Sequence, residues 1–373
     1  MCSLKLAFIG GGLDSAIGST HLVASRMDNR WELVAGAFSR NPDINRETAQ
    51  KWRVPRHYHQ WQELIAKEKD NIDAVVLLTP TPDHADMLCA LLEAGIPVIC
   101  EKAMVADREQ LTQLERFYDP KRHFLAVTFN YSGYPMIREL RARIEAGTLG
   151  HIQQHHLEMP QETFLRPKGF DGTPARPQEW RLRDGAIPTL CLDLGVHLHH
   201  LSVFCTGQHP IAVKAHFERL SGLGVVDNAL LCIKFREGAS GSYWFGKTAL
   251  GYANGLRVRL FGDHGSAEWY QMEPERLRLS HLDGSHTILE RGSETMACRD
   301  HRYHRMKPGH PSGFIEAFAN LYTDMADALI QWRNTGNAEH PFVFGVEHAS
   351  EGLRLFHAAV QSWQNNGQWV EMK

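Results

Sequence analysis

Asp193 and His197 stand four residues apart in TLCLDLGVHLHHL (189–201). The stretch reads as one helix, because Leu190, Leu192, Leu194, Leu198 and Leu201 supply an apolar stripe at mixed i+3 and i+4 spacings. On a helix, residues four apart share a face and can touch. A carboxylate beside an imidazole is a proton-transfer pair, since the carboxylate can fix the ring's tautomer and raise its basicity. Two other readings stand beside this one. The pair could be ordinary polar residues on a solvated face. Alternatively Cys191, Asp193, His197, His199 and His200 could crowd around a metal. His199 and His200 are adjacent, however, and so point about 100° apart on a helix. Neither His-Glu-x-x-His nor Cys-x-x-Cys lies nearby, so no metal is expected.

Further candidates lie in the first third of the chain. LKLAFIG (4–10) has the composition of a buried strand and runs into Gly10-Gly11-Gly12, followed by a helical pattern from about Ser15 to Met27. Read as G-x-G-x-x-S, this is a dinucleotide fingerprint. Gly10 permits the tight turn, Gly12 lets the backbone approach a pyrophosphate, and a small Ser15 lets helix pack on strand. The helix N-terminus then faces the phosphates. Lys102 follows Glu101 at the end of PVICEK (97–102). An ammonium there could reach a substrate oxygen, although a solvent-facing lysine at a strand end is also common.

The elements that must position these groups alternate regularly. WELVAGAF (31–38) is the second strand, and Asn41-Pro42 opens a helix through Arg53. WQELIAKEK (61–69) is a short helix. DAVVLLTP (73–80) is a continuous apolar strand of the kind buried on both faces of a parallel sheet. Pro82 opens another helix that Gly95 ends, and PVICEK and HFLAVTFN (123–130) are the next strands. This repetition predicts a doubly wound parallel sheet, a Rossmann-type α/β domain. Ligands of such sheets bind at the carboxyl ends of the strands. The cofactor-contacting residues are therefore expected at Gly10, Gly12 and Ser15; at Ser39 and Arg40; at Thr79, Pro80, Thr81 and His84; and at Glu101, Lys102 and Asn130. At the second strand an acid would grip a ribose 2′-hydroxyl and repel a 2′-phosphate. Phe38-Ser39-Arg40-Asn41 offers none, and Ser39 with Arg40 could accept a 2′-phosphate, so the cofactor reads as NAD or NADP.

AFIGGGLDS, LLTPTPDHADMLCALLEAGIPVICEKAMVAD, TFNYSGYPMIRELRARIEAGTLGHI and LDLGVH together cover most of residues 5–200. In this order they resemble the Gfo/Idh/MocA family of oxidoreductases, which includes glucose-fructose oxidoreductase and inositol dehydrogenases. The most specific pieces are Thr-Pro-x-x-x-His (79–84, with Thr81 and Pro82 inside it), the Glu-Lys pair and Asp-x-Gly-x-His. VDNALLCIKF, RLFGDHGSAEWYQ and GHPSGFIEAFANLY resemble a subgroup acting on sugars and sugar derivatives, of which levoglucosan dehydrogenase is one. The resemblance implies nicotinamide-dependent oxidation of a secondary alcohol on a sugar, anhydrosugar or cyclitol. The family's lysine matches Lys102, and its Asp-x-x-x-His pair matches Asp193 and His197. Two departures stand out: Ser15 replaces a glycine, and Glu101-Lys102-Ala103 replaces Glu-Lys-Pro. A cis peptide before alanine costs ~3 kcal/mol, so the turn that aims the lysine is expected to differ.

After Gly147, HIQQHHLEM reads as a strand, and residues 160–188, rich in Pro, Gly and Arg, read as a substrate loop or a plain connector, the former favoured because the segment leads straight into the Asp193 helix. From Ile211 to about Leu289 strands follow one another without helices, predicting a large, mostly antiparallel sheet. Two amphipathic helices follow, Phe314–Ile330 and Val346–Trp363. With 373 residues, two domains are the expectation: a dinucleotide-binding domain over 1–129 and an α+β domain for substrate binding and oligomerisation over 130–373. Tyr131, Trp180, Arg181, Asn228 and His310 are candidate substrate contacts. Aromatic faces suit sugar rings, and Arg and Asn side chains donate to hydroxyls.

Composition limits the partners. A formal charge of −3 with 22% charged residues suggests neither nucleic acid nor an anionic membrane. There is no run of about 18 apolar residues, so no membrane span is expected. MCSLKLAFIGGG enters a strand at once, without the parts of a signal peptide. Seven cysteines without a repeated spacing fit a reducing compartment, hence a cytoplasmic location. The family resemblance implies a homodimer or homotetramer formed through the C-terminal sheet.

The expected chemistry is a dehydrogenation. His197 takes the hydroxyl proton, Lys102 holds the same oxygen, and Asp193 orients His197 or binds a neighbouring hydroxyl. Two other functions fit parts of the pattern. A glycoside-cleaving enzyme would use the cofactor only for transient oxidation, and a nucleotide-sensing protein would have no need of Lys102, Asp193 and His197 together.

Overall fold

In the computed structural model the described residues are 3–166, 168, 172 and 177–372. They divide into two units, residues 1–133 with 313–349 and residues 134–312 with 350–373.

In the first unit β1 (Leu4–Gly10), β2 (Trp31–Ala37), β3 (Arg56–His57), β4 (Ala74–Leu78), β5 (Val98–Glu101) and β6 (Leu125–Thr128) form one sheet. Its order is β3-β2-β1-β4-β5-β6 and every pairing is parallel. A parallel sheet needs covered faces, and β4 and β5 are buried at every residue, as their unbroken apolar runs require. The crossovers carry α1 (Gly18–Arg26), α2 (Pro42–Trp52), α3 (Trp61–Glu68), α4 (His84–Glu93) and α5 (Arg108–Phe117). The Asn41 side chain accepts hydrogen bonds from the Asp43 and Ile44 amides at 2.9 and 3.3 Å, with Pro42 opening α2, so the start read from Asn41-Pro42 is where the helix begins. Sequence reading started the first helix near Ser15, but α1 begins at Gly18. A β-carbon on Gly18 would lie 1.8 Å from the Gly11 carbonyl oxygen. The close approach of helix to strand therefore falls on Gly18, and Ser15 sits in the intervening turn, its amide donating to the Gly12 carbonyl at 2.8 Å.

The second unit contains α6 (Pro135–Glu145), β7 (Ile152–Pro160) and a helix whose first turn, Cys191–Gly195, is π-helical and continues as α7 (Val196–Thr206). β8 (Pro210–Glu218), β9 (Asn228–Phe235), β10 (Ser240–Gly246), β11 (Arg257–Gly262), β12 (Gly265–Tyr270), β13 (Arg276–His281) and β14 (His286–Glu290) follow. They join β7 in a nine-stranded sheet of order β14-β13-β12-β11-β7-β10-β9-β8-β15, where β15 is Val370–Glu371. Every pairing is antiparallel except β7 with β10. Along β9 the residues alternate, with Ala229, Leu231 and Ile233 buried and Leu230, Cys232 and Lys234 exposed, the period of a sheet with one covered face.

α8 (Phe314–Thr335) belongs to the first unit, and α9 (Val346–Gln364) lies in the second from residue 350 onward. Phe318, Leu321, Tyr322, Met325 and Leu329 of α8 join the core built on Leu6, Phe8, Leu33, Val76 and Ile99. The Trp31 indole donates to the Tyr322 carbonyl at 2.8 Å, tying α8 to β2.

Candidate active site

In the first unit the carboxyl ends of the parallel strands carry every residue singled out there for cofactor contact. Gly10 and Gly11 close β1 with φ of +79° and +75°, a backbone that L side chains rarely adopt. A β-carbon on Gly12 would come within 3.0 Å of the Phe38 carbonyl oxygen. These glycines thus form a cradle that side chains would fill, which fits a pyrophosphate held by backbone. Past the end of β2, Ser39 Oγ accepts from the Asn41 amide. Arg40 is 90% exposed along its side chain and reaches Asp83 at 3.1 Å. Past β6 the Asn130 side chain is buried, and its amide nitrogen has no hydrogen-bond partner among the described residues. A buried donor of this kind fits a polar group of a bound dinucleotide.

Thr79, Pro80 and Thr81 lead from β4 into α4. His84 opens that helix fully buried, with Nε2 2.7 Å from the Thr79 carbonyl oxygen and Nδ1 3.1 Å from that of Ala103. Burial pushes this imidazole below its ordinary pKa despite the flanking carbonyls. His84 therefore bridges the end of β4 to the turn carrying Lys102. The peptide between Lys102 and Ala103 is cis, so the expectation that alanine would change this turn is corrected. Ala103 is buried and its carbonyl is held against the His84 ring.

Glu101, one residue before Lys102, is the hub of a buried polar chain. His21 Nε2 lies 3.1 Å from Glu101 Oε1, and His21 Nδ1 lies 2.7 Å from the Tyr322 hydroxyl. The Thr128 hydroxyl also donates to Glu101 Oε1. Burial works to raise the Glu101 carboxyl, but His21, Lys102 and Thr128 more than offset it and hold the group below its ordinary value. Sequence reading did not single out His21. Its place three residues after Gly18 was the available signal.

In the second unit Asp193 and His197 are 8% and 4% exposed, which removes the reading of both as residues of a solvated face. The single α-helix expected over 189–201 is corrected in two respects. It runs on to Thr206, and at its start the Val196 amide reaches back five residues to the Cys191 carbonyl. Such π-turns recur at functional sites. Gly195 permits close packing, since a β-carbon there would lie 2.6 Å from Phe356 and 3.0 Å from Phe245.

Asp193 Oδ2 accepts hydrogen bonds from Arg181 Nε at 3.1 Å and from Lys247 Nζ. The Arg181 guanidinium lies 4.4 Å over the Trp180 ring, whose own indole donates to Gln178 at 3.0 Å, so of these two substrate candidates Arg181 is the one that meets the Asp193 carboxylate. Sequence reading missed Lys247. Continuing the alternation of β10, with Tyr243 and Phe245 inward, would have turned it to the same covered face. Of the expected substrate loop at 160–188, residues 167, 169–171 and 173–176 lie outside the described residues.

The remaining candidates have the following partners. The Asn228 amide nitrogen donates to Glu218 at 2.6 Å while its oxygen accepts from Trp244 at 3.0 Å, on the face of β9 that carries exposed Leu230. Alternation thus turns Asn228 away from the face that packs on Gly195. His310 is exposed, with its carbonyl accepting from Arg291. Tyr131, in the first unit, is buried against Phe314 at 6.1 Å between centroids. His199 is engaged by Glu351 at 3.0 Å, and the His200 ring lies tilted against Phe204 with centroids 5.6 Å apart. Among the described residues no group of three or more His, Cys, Asp or Glu could hold a metal ion.

A family model described as an oxidoreductase family with an NAD-binding Rossmann fold matches residues 4–129. A second, the GFO/IDH/MocA C-terminal domain, matches residues 137–268. The chain is 29% identical to the uncharacterised oxidoreductase YfiI of Bacillus subtilis, over 99% of this chain and 97% of that protein. It is 25% identical to levoglucosan dehydrogenase of Pseudarthrobacter phenanthrenivorans, over 71% of this chain and 73% of that one. A crystal structure of an inositol dehydrogenase homologue from Azotobacter vinelandii, complexed with NADH and myo-inositol, superposes with a TM-score of 0.88 at 28% identity, covering 99% of this chain and 97% of the other.

Proposed function

Because the chain belongs to the GFO/IDH/MocA family of oxidoreductases, with its NAD-binding Rossmann domain and its C-terminal domain in order, we propose that it oxidises a secondary alcohol of a sugar, anhydrosugar or cyclitol. The observation that carries this reading is the buried Asp193 carboxylate, fixed by two cations at the π-helical start of α7, with buried His197 four residues on.

Bound NAD supplies a hydride acceptor. The chain's own residues do the rest. Gly10, Gly12 and Asn130 would hold the dinucleotide, with Ser39 and Arg40 as further contacts past the end of β2. His84 aims the Lys102 turn from within the core rather than touching the cofactor. His197 takes the hydroxyl proton as carbon is oxidised, and Lys102 steadies the negative charge developing on that oxygen. Asp193 keeps the imidazole in the tautomer whose bare nitrogen accepts the proton. Trp180 and Arg181 contact the substrate beside Asp193.

The uncovered face of the nine-stranded sheet supports assembly into a homodimer or homotetramer. Leu230 and Ile288 on it are 47% and 62% exposed, among half-exposed aromatic residues such as Trp244 and Tyr270. Sedimentation of the purified chain tests this, and a monomer at all concentrations would contradict it. The cysteines from Cys89 to Cys298 are free, and most of them are buried, which supports a reducing, cytoplasmic location. Among the described residues no helix is long and apolar enough to cross a membrane.

The test is a panel of sugars, anhydrosugars and cyclitols, with NAD and NADP in parallel, followed through the absorbance of reduced nicotinamide at about 340 nm. Steady formation of reduced cofactor with at least one polyol is expected. Cleavage of glycosides without net reduction would point instead to transient oxidation.

A further inference from the structure

A buried lysine next to Asp193 is unexplained by the roles assigned so far. Lys247 is 5% exposed, and an ammonium taken out of water is costly unless it is paired and hydrogen-bonded. Its Nζ donates to Asp193 Oδ2, the oxygen that Arg181 Nε also meets at 3.1 Å. Both cations are backed by rings of the segment that precedes α7: Lys247 Nζ lies 5.1 Å from the Phe164 ring and Arg181 lies 4.4 Å from the Trp180 ring. The lysine's backbone is fixed as well. Its amide donates to the Asp227 carbonyl at 2.8 Å, and its carbonyl accepts from the Phe164 amide at 3.0 Å. Two residues earlier, within β10, Phe245 is one of the two rings against which Gly195 packs. β10 therefore sets both the position of the π-turn and the cation that meets its carboxylate.

The other acids of this neighbourhood have different partners. Asp184 accepts from the Thr189 and Val226 amides, Asp227 from those of Leu220 and Ser221, and Glu162 from Arg166 and the Gly251 amide. The two cations converge on the single oxygen Asp193 Oδ2.

We propose that Lys247 is a positioning residue of the hydride-transfer site: it fixes the Asp193 carboxylate through Oδ2 in one orientation, so that Asp193 acts through Oδ1. The inference rests on the dehydrogenase reading and deepens it. An Asp193 held in this way orients His197 and does not itself exchange the proton. Arg181, the second cation, is partly exposed and belongs to the loop, so it can serve substrate while Lys247 holds the carboxylate in place.

The experiment compares K247M, K247R, D193N, the double variant K247M/D193N and H197A, using the best polyol of the panel and separate measurement of NADH affinity. K247M should lower kcat at least about tenfold, and K247R should recover most of that loss. NADH affinity should stay within about twofold, since the dinucleotide is held by other residues. K247M/D193N should be no slower than D193N alone, because both changes break one unit. If methionine is not tolerated in the fold, K247Q, which keeps a donor but no charge, should show the same loss of kcat. A K247M or K247Q enzyme with wild-type kcat beside an inactive H197A would overturn the role of Lys247 and leave the dehydrogenase reading standing. Wild-type turnover in H197A as well would overturn both. Equal loss in K247M and K247R, together with a lowered melting temperature in both, would reduce Lys247 to a structural ion pair and contradict the proposal.

Discussion

A β-carbon on Gly18 would overlap the Gly11 carbonyl oxygen at 1.8 Å, whereas Ser15 already carries a side chain in the same turn. The motif G-x-G-x-x-S is visible in the sequence, but its third position is not where helix meets strand. Spacing on paper does not reveal that the residues after Gly12 loop out before α1 begins. Gly18→Ala should therefore cost about 1–3 kcal/mol of stability through overpacking, and Ser15→Ala less than about 1 kcal/mol. Urea unfolding of the two variants measures this, and equal costs would return the close contact to Ser15. Asp193 forms an ion pair with Arg181, a pairing that no spacing between residues 181 and 193 announces. Sequence cannot say that Asn228 spends its amide on Glu218 and Trp244, because those partners come from strands on either side of it.

Among the elements, the parallel strands were the most legible, since burial on both faces leaves an unbroken apolar run such as that of β4. The π-turn of Cys191–Gly195 was not legible, because one extra residue per turn leaves no mark in a leucine pattern. α7 shows how histidines that look like ligands in the sequence separate in the fold. His199 and His209 both meet Glu351 of α9, at 3.0 and 2.7 Å. Burial works to raise this carboxyl, but the two imidazoles outweigh it and bring it down to about 2. A carboxyl whose pKa is depressed on folding adds stability above its unfolded value, and that stability is lost as pH falls towards the folded value. Glu351→Gln should lower stability at pH 7 by about 1–3 kcal/mol, the worth of hydrogen bonds to a charged group. The gap between variant and wild type should then narrow as pH falls from 4.5 to about 2. Denaturant melts at stepped pH follow this directly, and a gap that stays constant down to pH 3 would contradict it.

For the whole chain, composition and alternation were enough to expect a parallel α/β domain followed by a large antiparallel sheet, and both are present. The sequence places α8 with the second domain, whereas the structure returns it to the first unit. Its amphipathic pattern states that one face must be buried, but nothing in a pattern names the partner, which proves to be the core around Phe8 and Val76. The chain thus completes its dinucleotide-binding unit only after building the second one. The proposed function turns on one claim, that Lys102 and His197 act on the same hydroxyl oxygen of a polyol. The most direct measurement is the steady-state turnover of His197→Ala, alone and combined with Lys102→Ala, on the best substrate of the panel, with NADH affinity measured alongside. Turnover should fall by ~10²–10⁴, the usual contribution of a positioned proton acceptor, while NADH still binds. The double variant should be little worse than either single one, because the groups serve one oxygen. A His197→Ala enzyme that keeps wild-type turnover on that substrate would contradict the account.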